Sequence, residues 1–261
     1  MRFENKVVII TGAANGLGLD AAGGFAREGA KVLMVDRDPR GAEGAAALAA
    51  QGHDVRFRQA DVTQDAEVRG YVAAAMEAWG RIDCFFNNAG IEGHVRPIVE
   101  QEEAVFDAVI AVNVKGVFLG MKHVLPVMLA QGKGAVVNTA STAALVGSAG
   151  LGPYVASKHA VLGMTKTAAG EVARGGVRVN ALCPGPTDTR MIHSLEEQAT
   201  ARGANDVPEK YMASIPLGRY CTPAEVTAMV LFLCSDEASG VTGGQFQVDG
   251  GRTACPAGAL R

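Results

Sequence analysis

A tyrosine and a lysine stand four residues apart, at Tyr154 and Lys158. On a helix, this spacing puts both side chains on one face, where their polar ends can reach one ligand. Free tyrosine has a pKa of about 10, and a nearby ammonium group stabilises the phenolate and lowers that pKa. The pair can therefore serve as a general acid and base, although the same spacing also fits a solvated helix face.

Ser141 supports the catalytic interpretation. It lies thirteen residues before Tyr154, at the end of a predicted strand. From there its hydroxyl can hydrogen-bond an oxygen whose charge changes during a reaction. These three residues together predict acid–base chemistry at a substrate oxygen.

A glycine-rich loop, Thr11-Gly-Ala-Ala-Asn-Gly-Leu-Gly18, follows the first predicted strand and opens a predicted helix. Glycines let the backbone approach a pyrophosphate, and the helix N-terminus supplies free N–H groups and partial positive charge. The loop therefore predicts dinucleotide binding, with an ordinary tight turn as the alternative. The predicted contacts in it are Gly12, Asn15, Gly16, Leu17 and Gly18.

Asp36 lies eighteen residues beyond Gly18, at the end of the second predicted strand. A carboxylate there can accept both ribose hydroxyls of adenosine and repels a 2′-phosphate, which favours NAD over NADP. The neighbouring Arg37 could attract that phosphate, but we expect the acid to dominate. Asp61 and Val62, after the third strand, are predicted to flank the adenine, with a helix cap as the alternative.

The elements that must position these residues alternate between short β-branched runs and longer alanine-rich stretches. This alternation predicts a parallel sheet covered by helices on both faces. The predicted strands are 7–10, 31–35, 55–59, 82–86, 135–139, 177–182 and 245–248. The predicted helices are 16–28, 40–50, 65–79, 101–130, 153–173 and 222–234.

No linker interrupts this alternation, so we expect one domain over residues 1–261. The polar segment 188–217 breaks the rhythm after the sixth strand. Ligands of open α/β sheets bind beyond the carboxyl ends of the strands, so this segment is a candidate substrate lid. A surface excursion is the alternative.

Composition narrows the possible partners. The 261 residues include 24 basic and 27 acidic side chains, which gives a net charge of −3 and argues against nucleic-acid binding. The long uncharged stretch 134–157 contains polar residues, four glycines and Pro153, so no membrane helix is expected there. Glycine is in excess, with 33 residues, and neither collagen nor disorder fits the rest of the composition.

Cysteine and histidine usage adds two expectations. The five cysteines are odd in number and form no CxxC pair, which favours reduced thiols in a cytoplasmic protein. The first residues lack a signal-peptide core, so export is not expected. The five histidines are too scattered for a zinc site, and no metal is predicted.

Over almost its whole length the sequence resembles the short-chain dehydrogenase/reductase family. Besides the glycine-rich loop and the Ser, Tyr and Lys residues, it carries Asn87-Asn-Ala-Gly90, Asn113 and Pro184-Gly-Pro-Thr-Asp-Thr189. The resemblance implies a Rossmann-type, doubly wound, seven-stranded parallel sheet in the order 3-2-1-4-5-6-7. It also implies a catalytic tetrad of Asn113, Ser141, Tyr154 and Lys158.

Further site residues follow from this resemblance. Asn113 would fix a water on the proton path from Lys158, which would hold both Tyr154 and the cofactor ribose. Hydride would pass between the substrate carbon and nicotinamide C4, with Tyr154 moving the hydroxyl proton. A homo-oligomer is implied, with a tetramer favoured over a dimer. The remaining implied cofactor contacts are Asn88, Ala89 and Gly90 on the adenosine side and Pro184, Gly185, Thr187 and Thr189 near the nicotinamide.

The residues expected to face the substrate are mostly apolar, which indicates a neutral, hydrophobic or alicyclic secondary alcohol or ketone. The stretches 85–93 and 116–120 resemble family members that act on cyclic ketones and alcohols. Reduction of a 3-oxoacyl thioester is one alternative, and a non-catalytic dinucleotide-sensing scaffold is another. His94 and Arg96 could recognise a polar substrate or lie on a solvated loop. The predicted substrate contacts are Ser141, Ala143, Leu151, Tyr154 and Met191.

Overall fold

The computed structural model describes residues 1–255 and contains one sheet of seven parallel strands. The strand order is β3-β2-β1-β4-β5-β6-β7, so the predicted fold class and order are confirmed. The strands are β1 (Val7–Thr11), β2 (Lys31–Asp36), β3 (Val55–Gln59), β4 (Cys84–Asn87), β5 (Gly134–Thr139), β6 (Val177–Pro184) and β7 (Gln245–Val248).

Helices cover both faces of the sheet. The α-helices are α1 (Gly16–Arg27), α2 (Gly41–Ala50), α3 (Asp65–Trp79), α4 (Glu103–Ile110), α5 (Gly116–Gln131), α6 (Gly152–Val172), α7 (Arg190–Ala201), α8 (Val207–Ala213) and α9 (Pro223–Cys234). A π-helical turn, Ala111–Lys115, joins α4 to α5.

The protein has two main hydrophobic cores, one on each face of the sheet. Successive residues of a strand point to opposite faces, so one strand contributes to both cores. On β1, Ile9 packs into the core with α3, α5 and α6, whereas Val8 and Ile10 pack into the core with α1, α2 and α9. All three side chains are fully buried. Strands buried on both faces read as continuous apolar runs, which is why the sequence pattern located them.

The prediction of one uninterrupted helix over 101–130 is wrong. The structure has α4 and α5 separated by the π-helical turn, and the turn contains Asn113. By length and composition alone, Glu103–Gln131 could cross a membrane, but core helices of soluble proteins pass the same test. Val117, Val124 and Met128 are buried against the sheet, as expected of a core helix.

The segment 188–217 contains two helices that the sequence did not predict, α7 and α8. Ile192 and Leu195 of α7 form a small apolar cluster with Leu151, to which Tyr154 and Tyr211 also pack. The segment therefore covers the region that contains the predicted catalytic tyrosine.

Helices α1 and α9 pack closely, which explains two residues near the glycine-rich loop. A Cβ added at Gly24 would lie 2.7 Å from Thr227 Cγ2, so only glycine allows this approach. Asp20 accepts a hydrogen bond from the Thr227 hydroxyl at 2.5 Å. The Asp20 carboxylate therefore serves helix packing on this side of the cleft.

Candidate active site

A cleft of about 760 Å³ opens at the carboxyl ends of the central strands. This is where ligands of doubly wound sheets bind, and the volume suits a ligand larger than a single small molecule. Most of the predicted residues line it: Gly12, Asn15, Gly16, Leu17, Asp36, Arg37, Asp61, Val62, Asn88, Ala89, Gly90, Ser141, Ala143, Leu151, Tyr154, Lys158, Pro184, Gly185, Thr187, Thr189 and Met191.

Gly18 and Asn113 are predicted site residues that do not line the cleft. Gly18 lies in the first turn of α1, where an added Cβ would be 2.1 Å from the Gly12 carbonyl oxygen. Gly12 itself has a φ of +66°, and its own Cβ would meet the Ala89 backbone at 2.9 Å. These two glycines therefore let the loop fold tightly between β1 and the segment after β4.

The start of α1 has the properties of an anion site. Its N-cap, Asn15, makes no side-chain capping hydrogen bond, and no acidic residue lies in the first turn. The first backbone N–H groups of the helix therefore face the cleft without a capping side chain. Together with the helix dipole, they favour a phosphate group at this position.

Asp36 lies at the end of β2, beside this loop. Its Oδ2 accepts a hydrogen bond from Ala14 N at 2.9 Å, and its Oδ1 accepts one from Asp38 N at 2.9 Å. Each carboxylate oxygen can accept a second hydrogen bond, so the group can still bind hydroxyls. The loop and the carboxylate are thus held together as one rigid rim.

Side-chain hydrogen bonds fix the segment after β4 to its neighbours. Thr11 Oγ1 accepts hydrogen bonds from Asn88 N at 2.9 Å and Ala89 N at 3.1 Å. The Thr139 hydroxyl donates to Asn88 Oδ1 at 3.1 Å. Asn88 therefore joins the ends of β1 and β5, consistent with the role that the family resemblance implies for this stretch.

Ser141, Tyr154 and Lys158 meet at one wall of the cleft. Lys158 Nζ lies 5.6 Å from the centre of the Tyr154 ring and donates a 2.7 Å hydrogen bond to the Thr139 carbonyl oxygen. Ser141 Oγ accepts a hydrogen bond from Ala143 N at 3.1 Å, which leaves its proton free to be donated. An oxygen bound in the cleft can thus accept a hydrogen bond from serine and exchange one proton with tyrosine.

Burial governs the ionisation of this pair. It raises the pKa of Tyr154 to about 12, against the opposing effect of the hydrogen bond with Ser141. It lowers the pKa of Lys158 from 10.5 to about 8. Burial is the dominant effect on the pKa of Tyr154, and the Lys158 ammonium group donates to the Thr139 carbonyl oxygen. The lowering of the Tyr154 pKa by Lys158 stays a prediction.

Replacing Lys158 by methionine is expected to stabilise the fold by about 2 kcal/mol at pH 7. A lysine whose pKa is lowered on folding destabilises the folded chain while it is protonated in both states. That penalty disappears as the pH rises from about 8 towards 10.5, where wild-type stability should approach that of the variant. Urea unfolding at several pH values measures this difference.

Lys166 provides the matched control, because it is exposed on the same helix, α6. Lys166→Met should leave the free energy of unfolding within about 0.5 kcal/mol of the wild type. A Lys158→Met variant that is less stable than the wild type at pH 7, or a difference that does not change with pH, would contradict the burial account.

Asn113 does not line the cleft, and its side chain makes three hydrogen bonds. Its Oδ1 accepts from Ile91 N at 2.8 Å, and its Nδ2 donates to Ile91 O at 2.9 Å and to Ser157 Oγ at 3.0 Å. Gly90 permits this approach, since an added Cβ would lie 3.3 Å from Asn113 Oδ1 and 3.4 Å from Lys158 Nζ. The Asn113 amide therefore joins the loop after β4 to α6. The π-helical turn that carries Asn113 is a feature frequently found at functional sites.

The other end of the cleft is mainly apolar. Its walls come from the π-helical turn and α4, from the segment after Ser141, and from α7. The apolar lining residues at this end are Val105, Ala108, Val112, Ala143, Val146, Leu151, Met191, Ile192 and Leu195. These side chains favour a hydrophobic ligand next to Ser141 and Tyr154.

Three charged residues also lie at this end, and the sequence motifs did not single out two of them. Glu92 is nearly buried and forms an ion pair with Arg190 at 3.1 Å, across 98 positions of sequence. Arg252 lines the cleft from the segment after β7. Neither Arg190 nor Arg252 belongs to a local motif, so only the tertiary structure places them here.

Comparison with known proteins identifies the family. The sequence profile of a family described as Enoyl-(Acyl carrier protein) reductase matches residues 12–253. The chain is 41% identical to a levodione reductase from Leifsonia aquatica over 256 residues, which covers 97% of this chain and 96% of that one. It therefore belongs to the short-chain dehydrogenase/reductase family and is an oxidoreductase of alcohols and ketones.

Two further relatives are named for two different kinds of substrate. A cyclohexanol dehydrogenase from Acinetobacter sp. (strain SE19) is 38% identical over 253 residues, with 97% of this chain and 96% of the relative covered. The 3-oxoacyl-acyl-carrier-protein reductase FabG of Thermotoga maritima is 40% identical over 263 residues, covering 96% and 99%. Cyclic alcohols and acyl thioesters are thus both represented among its relatives.

Solved structures agree with the fold. The levodione reductase crystal structure has a TM-score of 0.94 and 41% identity, covering 97% of this chain and all of that one. An NAD⁺-bound xylitol dehydrogenase has a TM-score of 0.91 and 32% identity, with coverage of 96% and 100%. An actinorhodin polyketide ketoreductase with NADPH has a TM-score of 0.91 and 36% identity, covering 95% of this chain and 97% of that one. The family therefore binds nicotinamide dinucleotides of both kinds.

Proposed function

We propose that this protein is an NAD(H)-dependent oxidoreductase that interconverts an apolar or alicyclic secondary alcohol and its ketone. The observation that carries this proposal is the position of Ser141, Tyr154 and Lys158 between two different regions of one cleft. On one side lie the glycine-rich loop and Asp36, and on the other lies the apolar pocket.

The residues fit a nicotinamide dinucleotide. Gly12, Gly16 and the uncapped start of α1 would hold the pyrophosphate, and Asp36 would hold the adenosine ribose. Arg37 lies beside Asp36 at the rim, and Thr187 and Thr189 also line the cleft, where Thr189 Cγ2 lies 3.7 Å from the position of a Cβ added at Gly16. When bound, the dinucleotide accepts a hydride at nicotinamide C4 in oxidation and donates one in reduction.

The chain's own groups handle the proton. Ser141 donates a hydrogen bond to the substrate oxygen, and Tyr154 exchanges a proton with that oxygen. Tyr154 is protonated at pH 7, since its pKa, about 10 in free tyrosine, is raised by burial to about 12. A protonated tyrosine is the proton donor that ketone reduction needs, and we propose that Tyr154 performs this step at neutral pH.

The substrate proposal rests on the apolar pocket and on the named relatives. Nine apolar side chains line the pocket beside Ser141 and Tyr154. Two relatives at 41% and 38% identity are named for levodione and cyclohexanol. Both observations support a ring-containing substrate.

Reduction of a 3-oxoacyl thioester is the second candidate. The FabG relative at 40% identity and the description of the matching family profile favour it. The Asp36 carboxylate at the ribose position argues for NAD, whereas such a reductase would be expected to use NADPH. A non-catalytic dinucleotide sensor is a weaker alternative, because Ser141, Tyr154 and Lys158 are all present and adjacent.

A substrate panel tests the proposed function. Purified protein is assayed with cyclic and acyclic ketones and with an acetoacetyl thioester, each in the presence of NADH and of NADPH. Preferred reduction of a cyclic ketone with NADH supports the proposal. Preferred reduction of the thioester with NADPH would replace it with the second candidate.

We also propose that the protein forms a homo-oligomer, with a tetramer favoured over a dimer. Phe106 and Phe118 are 43% and 50% exposed on α4 and α5, and Leu129 is 42% exposed. Large exposed apolar side chains are typical of a protein interface, and we propose that a second copy of this chain covers these three. Light scattering is expected to give four times the chain mass of 26.9 kDa, and a monomer at micromolar concentration would contradict the proposal.

A further inference from the structure

Arg252 lies at the substrate end of the cleft. Its guanidinium stacks over the Tyr211 ring, 5.8 Å from the ring centre. Tyr211 packs against the apolar cluster of Leu151, Ile192 and Leu195, and Tyr154 packs against the same cluster. The positive charge of Arg252 is therefore next to the apolar pocket, on the side of the proposed catalytic tyrosine.

Within residues 1–255, the Arg252 guanidinium forms no ion pair and no side-chain hydrogen bond. The Arg190 guanidinium, also at this end, is neutralised by Glu92 at 3.1 Å. Among the described residues, Arg252 is thus the arginine of this pocket that has no ion-pair partner within 4.0 Å. A guanidinium with its donors free is well suited to bind a carboxylate with two hydrogen bonds.

The nearest carboxylate in sequence, Asp249, is already committed to its own turn. It accepts hydrogen bonds from Gly251 N at 2.9 Å, from Thr253 N at 2.8 Å and from the Thr253 hydroxyl at 2.6 Å. These bonds fix the backbone on both sides of Arg252. The turn therefore holds the guanidinium at the pocket, and Asp249 acts on it only through space, without a hydrogen bond.

The other acid near Tyr211, Glu196, is engaged as well. One oxygen accepts a hydrogen bond from the Tyr220 hydroxyl, and the other lies 3.0 Å from His193 Nδ1. Asp249, Glu196 and Glu92 thus each have a hydrogen-bond or ion-pair partner other than Arg252.

We propose that the substrate carries a carboxylate that Arg252 binds, in addition to the apolar ring beside Ser141 and Tyr154. This inference rests on the proposed function and narrows its substrate class from neutral ketones to oxo acids with an apolar body. Arg252 is then a specificity-determining residue, because an anionic substrate pairs with its charge and a neutral one leaves it unpaired.

The test compares two ring ketones of nearly equal shape. One is a cyclohexanone that carries a carboxylate on the ring carbon opposite the ketone, and the other carries a carboxamide there. Wild-type protein with NADH should reduce the carboxylate with a kcat/KM at least about tenfold higher, the range expected for a charge-assisted hydrogen bond.

Arg252→Met should abolish this preference. It should leave kcat/KM for the carboxamide within about threefold of the wild type, because methionine can still pack on Tyr211. Arg252→Lys should retain part of the preference, since it keeps the charge and loses the bidentate geometry. Arg202→Met, which removes a lid-end arginine paired with Glu100 outside the cleft, should retain all of it.

Three results would overturn the inference. Equal wild-type activity on the two ketones would show that Arg252 does not distinguish a carboxylate from a neutral carboxamide. An equal loss on both ketones in Arg252→Met would show that the residue only packs against the lid. If neither ketone reacts while other cyclic ketones do, a carboxylated ring is not the substrate. Failure of every ketone with NADH would instead refute the proposed function, which distinguishes the two.

Discussion

Replacing Tyr154 by phenylalanine is expected to lower kcat/KM for ketone reduction by about 10³-fold, within the range for loss of a general acid. The variant loses only the hydroxyl that would protonate the substrate oxygen, and the aromatic packing against the lid cluster remains. NADH affinity should fall by about fivefold or less, which corresponds to one neutral hydrogen bond. Steady-state kinetics and a fluorescence titration with NADH measure the two effects.

Tyr71→Phe is the matched control. The Tyr71 hydroxyl is buried in the core and has no hydrogen-bond partner among the described residues. Its removal should change neither activity nor NADH binding. A Tyr154→Phe variant that retained more than a tenth of wild-type kcat/KM would show that another group supplies the proton.

Replacing Asp36 by asparagine is expected to change the cofactor preference by about 100-fold in favour of NADP, because like charges placed together cost several kcal/mol. The wild-type carboxylate would repel the 2′-phosphate of NADP, and asparagine removes that charge. One of the two backbone hydrogen bonds, from Ala14 N or Asp38 N, can still be accepted by the amide oxygen. The measured quantity is the ratio of kcat/KM for NADH to that for NADPH.

Asp38→Asn controls for a general change of charge at the rim of the cleft. Asp38 lines the cleft two residues further on, but its charge is paired with Arg40 at 2.5 Å. We expect its ratio to change by less than about threefold, as for a screened surface pair. A wild-type preference for NADPH, or an unchanged ratio in Asp36→Asn, would contradict the assignment of NAD.

The architecture was predictable because its signals are local or repeat along the chain. Val7 to Ile10 and the other apolar runs identify strands, and the glycine-rich loop marks where β1 meets α1. The strand order followed from the family resemblance rather than from the runs themselves. Most of the predicted site residues line one cleft because they follow strands whose carboxyl ends lie at the same edge, and helix α6 brings Tyr154 and Lys158 to it.

The features that sequence reasoning missed depend on tertiary contacts. The π-helical turn at Asn113 has no local signature, since its residues continue the helical pattern of α4. The ion pair of Glu92 with Arg190 joins positions far apart in sequence. No motif marks the segment after β7, and the structure brings Arg252 of that segment to the pocket.

The ionisation of Tyr154 shows why a motif alone does not determine chemistry. The spacing of Tyr154 and Lys158 correctly placed them on one helix, but it carried no information about burial. In the folded chain both groups are desolvated, which disfavours their charged forms. Burial therefore raises the pKa of Tyr154 and lowers the pKa of Lys158. Protonated Tyr154 at pH 7 is the proton donor that the proposed ketone reduction needs.

Deuterium transfer tests the central claim most directly. A cyclic ketone, the best substrate of the panel, is reduced with NADH that carries deuterium at both hydrogen positions of nicotinamide C4, and the alcohol is examined by mass spectrometry. The account predicts that one deuterium appears on the carbinol carbon with wild-type protein and that Tyr154→Phe forms about 10³-fold less of this product. An alcohol without deuterium, or no alcohol from any cyclic ketone, would contradict it.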